Sequence, residues 1–194
     1  MKFAKHLIAL AAVAAAVAVP MSAQAESDVN TTAAIGQSAS ARLNFRVTVP
    51  KVIYLQVGTG TAFTDVTTVD EVLFSLTAGQ VTTPGAVAAS GAGVTARILG
   101  NGGNVSLTAN GTSGGLANTP MSSTIAWSEI TGTSSSASLP HPAIGNGVAG
   151  AASSLTATAG IVNQTATWTF SYANAATVAA GDYTGQVTYT AALP

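Results

Sequence analysis

From Tyr183 onward the chain alternates: Tyr183, Gly185, Val187, Tyr189 and Ala191 share one parity, and Thr184, Gln186, Thr188 and Thr190 share the other. A period of two puts the two sets on opposite faces, so this stretch predicts a strand with one buried and one wet face. On this pattern Tyr183, Val187 and Tyr189 are core or groove-lining residues, with Thr184, Gln186 and Thr188 outward. The same alternation marks Leu43, Phe45, Val47 and Val49, and after Pro50 and Lys51 it resumes at Ile53, Leu55 and Val57. Proline has no amide donor, so Pro50 belongs at an edge, bulge or crossover, and the pattern predicts a strand that changes sheets there. Further alternations run through Val72, Phe74 and Leu76, then Val94, Ala96 and Ile98, then Val105, Leu107 and Ala109, and finally Trp168, Phe170 and Tyr172. Gly100-Asn101-Gly102-Gly103 tolerates positive φ, so Val94–Leu99 and Asn104–Ala109 are expected to form a hairpin about it.

Between these strands the pattern loosens. Gly79 to Gly93 reads as a surface loop holding a weak strand, and Thr131 to Thr158 as the least structured part, with Leu155 anchoring a short strand. No stretch sustains a helical period, and Ala173–Ala180 is the one place expected to hide a helical turn. About eight to ten short strands separated by loops predict an all-β sandwich occupying one domain, residues 42–194.

The N-terminus carries an address. Lys2, Lys5 and His6 precede the apolar run Leu7–Val19, Pro20 breaks it, and Ala23-Gln24-Ala25 supplies a small-x-small cleavage site. The run is short and alanine-rich for a membrane span, so residues 1–25 are expected to be a cleavable export signal of bacterial type. Cleavage after Ala25 leaves 169 of the 194 residues, with Arg42, Arg46, Lys51 and Arg97 against seven carboxylates, a balance of −3. Four scattered basic residues make no nucleic-acid footprint, and no membrane span remains after the signal. The chain has no cysteine, which excludes disulfides and thiolate chemistry and leaves stability to the core. Glu26 to Ala41 is small and polar, with Val29 and Ile35 its only large apolar residues, and reads either as a flexible leader or as an arm that pairs with a neighbouring subunit.

Catalytic groups are sparse. His141 is the only histidine beyond the signal and stands between Pro140 and Pro142, where an exposed loop residue is expected rather than a base held by packing. Asp70 and Glu71 are adjacent along an extended stretch, so their carboxylates point to opposite faces and read as edge charges. The acidic residues do not cluster in the short loop that calcium requires, and Gly100–Gly103 lacks the Lys-Ser/Thr of a phosphate loop. Trp127 and Trp168 lie in alternating patterns that favour core packing over sugar stacking. No catalytic, cofactor-binding or metal-binding residue is expected.

The stretch Ala-Ala-Gly-Asp-Tyr-Thr-Gly-Gln-Val-Thr-Tyr-Thr, residues 179–190, resembles the closing strand of bacterial pilus and fimbrial subunits, which end on a glycine, an aromatic, small alternating residues and a penultimate tyrosine. The resemblance implies an incomplete immunoglobulin-like antiparallel sandwich, completed by the N-terminal arm of another subunit, in a cell-surface, fimbrial or extracellular setting. Its implied partners are copies of itself or related surface subunits and a periplasmic chaperone. Val29, Ile35, Tyr183, Val187 and Tyr189 are then the expected assembly residues. The chain lacks the cysteine pair many such subunits carry, and Val29-Thr31-Ala33-Ile35 is a thin version of their donor arms. Asn101, Gly102, Val105, Leu107 and Thr108 with the Tyr-rich closing strand also resemble WxL-type wall-binding domains, without the Trp-x-Leu of that group. That second resemblance implies a secreted monomeric module binding cell-wall polymer or glycan.

Overall fold

The computed structural model describes residues 26–31, 35–61 and 63–194. The export signal read at residues 1–25, and Ala33 of the expected arm, lie outside the described residues. The described residues divide into two units, one ending at Thr48 and the other running from Val49 to Pro194.

In the first unit no described residue belongs to a helix or strand. The Arg42 guanidinium donates to both carboxylate oxygens of Glu26, at 2.7 and 2.9 Å, in an exposed pair. The strand expected from Arg42 therefore does not form. A strand exists only through its ladder, and none of the described residues before Ile53 belongs to one.

The second unit is all-β and sandwich-like, with eleven strands among the described residues. In chain order they are β1 (Ile53–Val57), β2 (Val87–Ala88), β3 (Val94–Gly100), β4 (Val105–Gly111), β5 (Leu116–Asn118), β6 (Ser123–Ile125), β7 (Ile130–Ser134), β8 (Ile144–Asn146), β9 (Ser153–Leu155), β10 (Val162–Tyr172) and β11 (Val187–Ala192). In the first sheet β3 lies between β1 and β10, while β2 and β7 pair with the far end of β10. In the second sheet β4 lies between β11 and the short strands β8 and β9. All pairings are antiparallel except β4 with β8. β5 and β6 form a small third sheet, joined to the terminal segment through Ala117 and Thr184.

Ala96 and Ile98 of β3, Val105 and Leu107 of β4, and Val162, Ala166 and Trp168 of β10 meet in one buried cluster between the two main sheets. On β4 alternation places Val105, Leu107 and Ala109 wholly inside, and on β11 it turns Val187, Tyr189 and Ala191 inward while Thr188, Thr190 and Ala192 face water.

Three expectations are corrected. β3 and β4 do not form a hairpin: β3 pairs with β1 and β10 in one sheet, β4 with β11, β8 and β9 in the other. Gly100–Gly103, with Gly103 at φ 108°, carries the chain from one sheet to the other, because both strands bury their inward residues against each other across the core. The helical turn lies at α1 (Ala78–Thr82), not within Ala173–Ala180. It starts where the Gln80 side-chain oxygen accepts the Thr77 N–H and hydroxyl, both at 2.9 Å. The Thr131–Thr158 region is packed rather than loose: it contributes β8, β9 and most of β7, and Leu139 is completely buried.

Candidate functional site

β1 and β11 are edge strands of different sheets that come alongside each other at one side of the sandwich. β1 pairs with β3 and β11 with β4, and among the described residues neither has a ladder on its other edge. Between them opens a groove of about 600 Å³. Leu55 and Val57 line it from β1 and Val187 and Tyr189 from β11, with Trp127 and Phe170 also contributing and Asp70 and Glu71 among the polar residues that border it. On β11 only the inward parity, Val187 and Tyr189, reaches the groove, whereas on β1 four consecutive residues, Tyr54–Val57, border it, and the backbone N–H and C=O groups of the open edges point sideways.

Trp127 closes one part of the groove. Its indole N–H donates to the Thr112 carbonyl at 2.8 Å and the ring is almost fully buried. Gly185 is obligatory here: a Cβ at that position would sit 2.9 Å from the Trp127 ring. The glycine within the terminal alternation is thus a contact with an aromatic.

A strap from Thr59 to Asp70 runs beside β1 and is held by side chains. Asp70 accepts the Thr59 N–H at 2.5 Å and its hydroxyl at 2.7 Å, which holds the Asp70 carboxyl below the usual carboxylate range. Phe63 packs on Tyr54 with centroids 4.9 Å apart, and the Arg97 guanidinium lies 5.0 Å over the Phe63 ring. Beyond it Val72, Phe74 and Leu76 keep their alternation of burial without joining a strand.

At the other end of β1, Asn101 clamps the chain. Its side-chain oxygen accepts the Val52 N–H at 2.7 Å, its amide donates to the Pro50 carbonyl at 2.8 Å, and its own N–H reaches the Val52 carbonyl at 3.2 Å.

Behind the groove stands an aromatic box. The His141 ring meets Trp168, Phe170 and Tyr189 edge-on, with centroids 4.9, 5.1 and 5.7 Å away. Its Nε2 lies 2.8 Å from the Tyr189 hydroxyl. Gly132 leaves room for the ring, since a Cβ there would come within 2.5 Å of it. Burial pushes the His141 pKa down to about 4 and raises that of Tyr189, so both are neutral at pH 7. The expectation of an exposed loop histidine is overturned: Leu139 and Pro142 are buried on either side of His141 and seat it in the sandwich. The fully buried Trp168 adds to this by donating its indole N–H to the Leu139 carbonyl at 3.2 Å. The sequence signal was a histidine bracketed by prolines and by an isolated leucine in an otherwise small-residue stretch.

Of the residues expected to mediate assembly, Tyr183, Val187 and Tyr189 all line the groove. Val29 and Ile35 belong to the first unit and are exposed. Among the described residues no three His, Asp or Glu side chains are grouped to hold a metal ion, and no helix is long and apolar enough to cross a membrane. No protein-family model, curated protein or solved structure matches this chain.

Proposed function

We propose that the protein is an exported surface structural or adhesive subunit, fimbrial-like in its assembly, which joins copies of itself or related subunits by strand addition. The observation that carries this reading is the groove of mixed apolar and polar lining between two open sheet edges, β1 and β11. Open edges are templates for pairing, and natural sheets blunt them with charges, proline or cover. Neither Ile53–Val57 nor Val187–Ala192 contains a charge or a proline, and the Thr59–Asp70 strap that runs beside β1 makes no ladder with it among the described residues. An added strand satisfies backbone groups on the edge it joins, and its alternate side chains enter the groove. The hydroxyl- and amide-rich surface and the export signal read from the sequence accord with this role, while the absence of a cysteine pair departs from the subunits it resembles.

The alternative, a secreted monomeric module for cell-wall polymer or glycan, comes from the WxL-type resemblance, and tryptophan faces would be its means of stacking on sugar. Trp127 and Trp168 are buried, which weighs against it. The test is electrophoretic: the exported chain is expected to run as an SDS-resistant ladder that collapses to monomer on heating. A chain that stays monomeric at high concentration and is retained on wall-polymer columns reverses the choice.

A further inference from the structure

Strand addition leaves open which segment is given. Resting on that reading, we propose that the donated strand is Arg42–Val49, inserted by one copy into the β1–β11 groove of a second copy. Leu43, Phe45, Val47 and Val49 are 64, 86, 86 and 72% exposed, and they share one parity while Asn44, Arg46 and Thr48 share the other. Four large apolar side chains held in water at strand period form the buried face of a strand that has no sheet. By contrast Glu26–Ala41 offers only Val29 and Ile35, six positions apart.

Length and charge both fit the groove. Eight residues at about 3.3 Å each extend roughly 26 Å, enough to cover the roughly 20 Å of a six-residue edge such as Val187–Ala192. Arg46 and Lys51 lie in or beside the segment and Glu71 borders the groove, while Arg42 is already paired with Glu26 and Asp70 with Thr59. The recipient is a second copy rather than the same one. Only Pro50, Lys51 and Val52 separate Val49 from β1, and Asn101 holds both Pro50 and Val52. Turning back on its own β1 requires a tight reversal that breaks those bonds.

The test compares the full chain with two variants, reading the ladder fraction on unheated SDS gels and folding by thermal melting. Phe45→Asp with Val47→Asp alters only exposed side chains, so the monomer is expected to melt as the parent does while the ladder falls at least about ten-fold. Deletion of Ser27–Ser40 is expected to leave the ladder within about two-fold of the parent. A ladder that survives the double substitution, or one abolished by the deletion, overturns the assignment of the donor and leaves strand addition standing. A parent chain that forms no ladder overturns strand addition itself, and the donor assignment with it.

Discussion

His141 makes the stability of the sandwich depend on pH in a defined window. Its ring is closed in by Trp168, Phe170 and Tyr189 and by the Gly132 backbone, and the only titratable group among these is the Tyr189 phenol. Burial lowers the folded pKa to about 4, against 6.5 for the free side chain. The unfolded chain therefore takes up a proton first as the pH falls. The stabilisation is complete above about pH 6.5, declines through the interval between 6.5 and 4, and levels off below 4. The full shift corresponds to about 3 kcal/mol, and because the ring keeps some solvent contact the realised loss is nearer 1–2 kcal/mol. Urea unfolding at half-unit steps from pH 8 to 3.5 measures it, with His141→Gln as the control that removes the titration and keeps a polar group opposite Tyr189. The parent is expected to lose about 1–2 kcal/mol more than the variant between pH 6.5 and 4. Parallel pH profiles for the two proteins, or an imidazole resonance titrating near 6.5 in the folded chain, refute the reasoning.

Other substitutions follow from the same contacts. Leu139→Ala empties a fully buried site beneath Trp168 and is expected to cost about 2–5 kcal/mol in urea unfolding. Asn101→Ala removes the clamp on Pro50 and Val52 and is expected to cost about 1–3 kcal/mol, with faster amide exchange at Val52 than elsewhere in the sandwich. Gly185→Val drives a branched side chain into the Trp127 ring; a loss of about 1–3 kcal/mol and a shifted tryptophan emission are expected.

The closing strand was readable from its alternation from Val187 onward, with Val187 and Tyr189 inward and Thr188 and Thr190 outward, whereas Tyr183–Gln186, expected as its start, lies outside β11 and only Thr184 makes an isolated bridge, to Ala117. Sheet membership was not readable. β3 and β4 carry the same small-and-branched pattern, and nothing local says that Gly100–Gly103 changes sheets instead of closing a hairpin. The pattern at Leu43–Val49 reports strand capacity without reporting where the partner is, so the expected strand stands as exposed chain. His141 illustrates a different limit: besides nearby Gly132 of β7, its ring partners come from β10 and β11, 27 to 48 positions away, so a loop-like local context concealed a packed ring. Helix α1 did carry a local signal, the Thr77-x-x-Gln80 spacing, but five residues are too few to show a hydrophobic period. The groove needed β1 and β11 to meet, which is a property of the topology alone.

Assembly by strand addition requires that the open edges of β1 and β11 be filled in the assembled protein. Amide hydrogen exchange, compared between heat-released monomer and intact assembly, reads this directly. In the assembly, amides of Ile53–Val57 or Val187–Ala192 that make no ladder bond in the monomer are expected to slow at least about ten-fold, along with those of Arg42–Val49. Unchanged exchange at both edges in an assembly that nevertheless holds together would contradict it.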